Sequence, residues 1–318
     1  SCTPAKYADQ VPPQEEIIPR NPERNNFPPS ITLLKYLVSR RTTAQIITVV
    51  NRVDVKKPIS VPKFASPEFC PDPIKIAPEL KKIKIVIDIN GYIFFTLGDR
   101  MAPPIGDEDA LRAHPAQDRS NHQGVVVRLN DDGTIPSDNP FVGQAGILPE
   151  IWSWGHRSPQ GLAIHPETGD LWESEHGPQG GDEINRIEPG NNYGWPVIGR
   201  GVNYGAFGRP IHIGISEEGM EEPTHFWVPS IATSGLMVYT GDKFPNWYGN
   251  IFSGSLAGEQ LARLQLTSDY RNVVVEETLA YDLGRIRDVR QGTDGFIYLA
   301  ISDRRGEPTS VVRLEPAD

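Results

Sequence analysis

Glycine is absent from the first 90 residues, and residues 1–83 also contain no tryptophan and no histidine. Tight turns between strands need backbone at positive φ, which glycine adopts most readily. The apolar runs 31–38 and 46–50 could be strands, but the glycine-bearing turns that should join them are missing. Cysteine is almost lacking: Cys2 and Cys70 could pair, and two such residues say little about compartment. No apolar run approaches the ~20 residues of a membrane-spanning helix. Basic residues are the minority, 31 Lys+Arg against 41 Asp+Glu, and a net charge of −10 argues against a nucleic-acid surface. No Gly-x-Gly-x-x-Gly follows a strand and opens a helix, which disfavours a nicotinamide enzyme. The opening SCTPAKYADQ lacks the basic and apolar regions of a signal peptide, so either the chain is mature or export is not encoded here.

What is present is a chain of 318 residues, room for one large all-β unit or two ordinary domains. Thirty glycines and thirty prolines point to many turns and few long helices. Residues 1–83 hold 13 Lys+Arg against 8 Asp+Glu, so the acidity belongs to residues 84–318. Three readings of 1–83 stay open: a separate module, an N-terminal part of the same fold with strained turns, or wrongly assigned residue identities.

From Lys84 the pattern is regular. Residues 83–89, Asn90-Gly91 and residues 92–97 read as a hairpin around an Asn-Gly turn. NGYIFFTLGDR and DGFIYLAISDR are the same element twice, LAIHPETGDLWESEHG is a third copy, and NWYGNIFSGSLAG (246–258) a weaker fourth. The marker glycines Gly91, Gly169, Gly249 and Gly295 suit four-stranded propeller blades of ~40–45 residues, with two insertions lengthening the earlier intervals. A β-sandwich would explain the strands but not the recurring hairpin ending, so the expected fold is an all-β propeller.

The richest stretch is 154–196, with three of the six tryptophans and three of the seven histidines. Residues 171–176 alternate, Leu171, Glu173 and Glu175 on one face and Trp172, Ser174 and His176 on the other, and run into a GPQGGDE loop. Polar side chains at strand ends, held by a rigid sheet, suit a site.

Five motifs in order, RLNDDGTIPSDNPF, GHRSPQGLAIHP, SEHGPQGGDEIN, NNYGWP and RIRDVRQGTDG, resemble the soluble quinoprotein aldose sugar and glucose dehydrogenases. The resemblance covers 84–318 and not 1–83, where that family has its first two blades. It implies a six-bladed β-propeller of four-stranded antiparallel blades that uses pyrroloquinoline quinone (PQQ) and calcium. It implies oxidation of the anomeric carbon of an aldose sugar to the lactone, transfer of electrons to an external acceptor, and a periplasmic or secreted location.

PQQ is a flat tricarboxylate, which planar, doubly donating guanidinium groups recognise well. Arg157, Arg285 and Arg287 stand at the family's cofactor-binding arginines, the last two spaced to share a strand face. His176, Ser158 (where Asn is usual) and Ser230 fall at cofactor-contacting positions, although for Ser230 a buried strand serine satisfied by backbone reads nearly as well. Ala257 stands where some members carry a lysine. The catalytic calcium is implied at the carbonyls of Gly177 and Pro178, and a structural one at Glu183 and Tyr193, where an exposed acidic turn is the rival reading. Calcium would polarise the quinone while a histidine takes the sugar proton, supported by Asp99. That histidine's position is occupied here by Leu80, which cannot take a proton. His114, His122 and His212 fall in polar loops and are expected to face solvent. A non-catalytic propeller binding a ligand or partner protein is therefore the alternative.

Overall fold

β-Branched and aromatic residues favour pleated, half-buried surfaces, and runs such as IFFTL and VVVRL become strands. In the computed structural model, the described residues are 46–50 (backbone), 83–102, 106–204, 211–305 and 309–316. Residues 31–38, Cys2, Cys70 and Leu80 lie outside them. β1 (Ile46–Val50) comes first. The first sheet follows in order β2 (Ile85–Ile87), β3 (Ile93–Leu97), β4 (Val125–Leu129), β5 (Ile151–Trp154). The second is β6 (Pro159–Ile164), β7 (Leu171–Glu175), β8 (Asp182–Ile187), β9 (His225–Trp227). The third is β10 (Thr233–Val238), β11 (Ile251–Ser255), β12 (Leu261–Leu266), β13 (Val273–Leu279).

The fourth sheet contains β14 (Arg285–Gln291), β15 (Ile297–Ser302) and β16 (Val311–Glu315), and is completed by β1 pairing antiparallel along β16. Each sheet is thus four-stranded and antiparallel, the first three meanders of consecutive strands and the fourth a three-stranded meander closed by β1, and the described chain is all-β apart from one five-residue helix, α1 (Glu108–Arg112), and two short 3₁₀ turns. The two insertions are where they were expected, between β3 and β4 and between β8 and β9.

The hairpin copies share their turn as well as their sequence. Gly91 N donates to Asp88 O at 3.1 Å, and Gly295 N to Gly292 O at 3.0 Å. Both glycines have positive φ, +88° and +82°. Each closes a three-residue loop with glycine in the left-handed region, one residue longer than the two-residue Asn-Gly turn expected at Asn90-Gly91.

The cores lie between sheets. Phe94, Val126, Leu162, Leu171 and Ile187 fill the space between the first and second. Trp172, Ile184, Leu236, Ile251 and Leu264 fill that between the second and third. Phe252, Leu261, Ile286, Leu299 and Val312 fill that between the third and fourth. β7 is consequently buried along its whole length on both faces, so its alternation separates two packed faces rather than core from solvent. The leading strands β6, β10 and β14 pack in succession. Each carries a register irregularity near its start, at 159/161, 233/236 and 286/288. Bulges of this kind re-aim side chains beside functional sites, and Arg287 sits on one.

Candidate functional site

Antiparallel pairing brings the start of each leading strand beside the end of the next one. Pro159 pairs with Glu175, Thr233 with Ser255, and Arg285 with Ser302. In the first sheet Thr96 N donates to Lys84 O at 3.0 Å. Asp99, Arg157, Ser158, His176, Gly177, Pro178, Ser230, Arg285 and Arg287 therefore gather at the same end of consecutive sheets.

Arg157 is the hub of that end. Its Nη1 donates to the carbonyls of His176 (2.9 Å) and Gly177 (2.8 Å), and its guanidinium carbon lies 5.1 Å from the centre of the Trp195 ring. Its backbone N donates to Glu175 Oε2 at 2.6 Å, as does that of Ser158 at 3.1 Å. Ser158 Oγ accepts from Gln160 Nε2 at 3.0 Å. His176 Nε2 is 2.6 Å from Thr233 O, which ties the end of β7 to the third sheet. Pro178 O accepts from Tyr204 Oη. Both carbonyls expected at a calcium are thus turned toward polar partners rather than into a strand ladder.

The GPQGGDE loop is locked by Asp182, which is fully buried. Its Oδ1 accepts from Gly177 N (3.0 Å) and its carboxylate from Ser230 Oγ (2.8 and 2.7 Å) and Thr233 N (3.2 Å). Ser230 is thereby engaged by a side chain rather than by backbone alone. A Cβ on Gly177 would lie 2.1 Å from Gly180 O, so the tight loop admits only glycine there.

Asp99 is 4 % exposed. Its Oδ2 accepts from Trp195 Nε1 at 2.9 Å, its Oδ1 from Met101 N at 2.8 Å, and its own N donates to Arg157 O at 2.8 Å. Burial raises its carboxyl above the ordinary value, against the opposing pull of the Met101 N–H and of Arg157. Arg100 and Met101 both have positive φ, 56° and 62°, a strained stretch that the surroundings must hold in place. Arg285 is partly buried: Nη1 donates to Leu256 O at 2.9 Å, while Nε is buried and has no partner among the described residues. Arg287 is exposed.

Two histidines depart from expectation. His114 is buried, with Nε2 3.0 Å from Ala102 O and Nδ1 accepting from Ala116 N. His212 is partly buried, its Nδ1 2.9 Å from Pro196 O and its Nε2 without a partner among the described residues. The reason is Trp195, whose indole meets both rings edge-on at 6.2 and 5.4 Å and shelters them from water. Burial holds His212 below the ordinary imidazole value, with Arg157 pressing the same way. His122 is exposed as expected, paired with Glu150.

A small pocket opens among these groups. Arg157, His176, Pro178, Trp195, His212 and Arg200 line it, together with Glu175, Glu183 and Tyr193. Arg200, a cation that sequence reasoning missed, donates to Glu222 at 2.6 Å and covers the Phe226 ring at 4.5 Å. Tyr193 spends its phenol on Arg186 O (2.6 Å) and Glu188 N (2.8 Å) and stacks on His156 at 4.7 Å. Burial, then the charge on Glu175, pushes Glu183 up to about 8. Burial and Glu175 also push Glu173 well above the carboxylate range. His156, Glu173, Glu175 and Asn185 were not singled out as site residues from sequence. The signal was present in two glutamates on one face of a strand, with Trp172 and Ser174 on the other.

Residues 76–313 match the family model for glucose/sorbosone dehydrogenases. The aldose sugar dehydrogenase YliI of Escherichia coli is 41% identical over 225 residues, covering 70% of this chain and 57% of that protein. A crystal structure of a glucose dehydrogenase aligns with TM-score 0.66 and 43% identity, over 74% of this chain and 64% of that one. The PQQ-bound aldose sugar dehydrogenase of Streptomyces coelicolor aligns with TM-score 0.54 and 27% identity, over 73% and 60%. The chain spans little more than half the length of the E. coli relative.

Proposed function

Because the chain belongs to the glucose/sorbosone dehydrogenase family, we propose that it is a quinoprotein that oxidises the anomeric carbon of an aldose sugar to the lactone. In this reading the fold is a six-bladed β-propeller, of which four sheets are described, and residues 1–83 hold the remainder. The location is periplasmic or secreted, and electrons leave to an external acceptor. The observation that carries the reading is the pocket at the end of the second sheet, lined by Arg157, Arg200, His176, Trp195 and His212, with Arg285 at the corresponding end of the fourth sheet.

The residues fit the implied groups. PQQ carries three carboxylates, and Arg285 holds a buried donor with no partner among the described residues, as an anion site would leave it. Arg157, Arg285 and Arg287 would hold the carboxylates, with His176, Ser158 and Ser230 beside them. The carbonyl oxygens of Gly177 and Pro178 are the hard donors that calcium takes. Glu183, with the main-chain oxygen of Tyr193, would take a structural calcium, since the Tyr193 phenol is already engaged. When bound, the quinone accepts hydride and calcium makes it the stronger electrophile.

The chain's own part is binding, orientation and proton handling. Arg157 is anchored through its backbone to Glu175, so its side chain can meet an anion without moving the turn. Trp195 gives a flat wall and fixes Asp99. The proton of the anomeric hydroxyl needs an acceptor. Leu80 lies outside the described residues, and an acceptor that the described pocket offers is Nε2 of His212, whose burial disfavours the charged imidazolium.

The alternative, a non-catalytic propeller, draws on Leu80. Purified chain incubated with PQQ and calcium, then assayed for dye reduction with glucose, separates the two. Reduction together with a shift of the visible PQQ band supports the oxidoreductase; absence of both supports the binding module.

A further inference from the structure

The face of β7 and β8 that meets the first sheet is polar where a core would be apolar. Glu173, Glu175 and Asn185 are all buried there, at 0, 3 and 1 % exposure, with His156 at 0 %. Asn185 Nδ2 lies within 3.2–3.3 Å of carboxylate oxygens of Glu173, Glu175 and Glu183. One amide cannot neutralise three acids, and buried like charges are costly without a cation or protons.

Each group nearest the centre has its other polar atom tied. His156 Nε2 is 2.9 Å from Ser153 Oγ, and its ring is clamped against Tyr193 at an interplanar angle of 20°. Glu175 Oε2 is held by the backbone N–H groups of Arg157 and Ser158. Glu173 Oε2 faces Asn185. The opposite atoms point inward: His156 Nδ1 and Glu173 Oε1 are buried with no hydrogen-bond partner among the described residues. His156 Nδ1 stands 3.5 Å from Glu175 Oε1 without a bond forming. One ligand atom from each of His156, Glu173 and Glu175 lies within 4.8 Å of the others, so side-chain shifts of a few tenths of an ångström would bring all three to the ~2.0–2.2 Å that a single ion requires. Ligands whose far atoms are fixed by hydrogen bonds are the usual support of a metal site.

The geometry points to a buried divalent transition-metal site formed by His156 Nδ1, Glu173 Oε1 and Glu175 Oε1. An imidazole nitrogen with carboxylates suits Zn²⁺ or Mn²⁺, whereas calcium prefers oxygen alone. The site uses no atom of Gly177, Pro178, Glu183 or Tyr193 and does not rest on the proposed activity. Ions have a route in, because Glu175 also lines the pocket. Through Glu175 the ion would brace the turn that presents Arg157.

The test uses the full chain, stripped with EDTA and re-equilibrated in excess Ca²⁺ to fill oxygen-only sites, then given Zn²⁺ or Mn²⁺ and desalted. Elemental analysis should find one Zn²⁺ or Mn²⁺ retained per chain, with the melting temperature raised by about 5 °C at 100-fold excess over Kd. Glu173→Gln and His156→Gln, each confirmed folded by circular dichroism, should lose both the ion and the shift. If either variant does not fold, Glu175→Gln replaces it. The inference is overturned if the wild type retains no transition metal, or if the variants retain as much. It is also overturned if Ca²⁺ occupies these ligands, seen as one fewer Ca²⁺ per chain in Glu173→Gln.

Discussion

The hairpins ending in Gly98-Asp99-Arg100 and Ser302-Asp303-Arg304 are near copies in sequence and share the same glycine turn, yet their ends differ. Asp99 is buried, bonded to Trp195 and Met101, and followed by two residues at positive φ. Asp303 is exposed, and among the described residues its Oδ1 accepts locally, from Arg305 N at 2.6 Å. The difference comes from the neighbour. The first hairpin ends against the Arg157 turn and the Trp195 indole of the next sheet, and no described residue plays that part for the second. A repeated hairpin supplies the position; the adjoining sheet's loops supply the chemistry.

The largest effect that would test this contrast is at Arg157. Arg157→Ala removes two charge-assisted bonds and, in the proposed reading, a cofactor contact, so kcat/KM for glucose should fall about 10²–10³-fold. Arg304→Ala, at the other hairpin's end, should stay within about twofold in the same assay. Next comes His212, which stands with Asp99 on Trp195. His212→Gln should lower kcat about 10²-fold and remove the acidic limb of the pH–rate profile. An unchanged kcat would return the proton acceptor to the segment bearing Leu80.

A smaller effect separates the two aspartates. Asp99→Asn should cost about tenfold in kcat/KM, while Asp303→Asn should leave it unaltered. Stability should run the other way at Asp99. Its raised folded value means that the folded state binds the proton more tightly than the unfolded chain does. Its contribution is therefore fully present below the unfolded value, about 3.9, and is lost as pH rises through the folded value. Melting curves from pH 3.5 to 7 should show Asp99→Asn gaining on the wild type as pH rises; a widening deficit would contradict this.

The smallest effect is at the turns. Gly91→Ala should cost about 1–2 kcal/mol in chemical denaturation, because alanine resists positive φ. Gly295→Ala should cost somewhat more, since its Cβ would come within 2.7 Å of Asp242 Oδ1, where the Gly91 position is open.

Much of this was legible before any coordinates. Marker glycines located the hairpins because positive φ is a local demand that few other residues meet. Asp99, Arg157 and His176 were picked out by the family resemblance, and their positions at strand ends and beside the GPQGG loop were legible because those features are written in contiguous residues. What could not be read was non-local. Nothing near Ile46–Val50 says that it pairs with β16, more than 250 residues away. The burial of His114 and His212 depends on Trp195, which their own polar surroundings do not reveal. Glu173 and Glu175 alternate with Trp172 as in an ordinary half-exposed strand. Only the arrival of the first sheet on that face makes them a buried cluster.

The strand borrowed from the front of the chain has a further consequence. With β1 in place, the outer rim of β16 has its hydrogen-bonding groups covered by this chain's own backbone. Proteolysis or truncation that removed residues 46–50 would bare that rim as a template on which a second molecule could add its own strand. The same junction that ties the front of the described chain to its last strand thus also keeps β16 from serving as a free pairing edge.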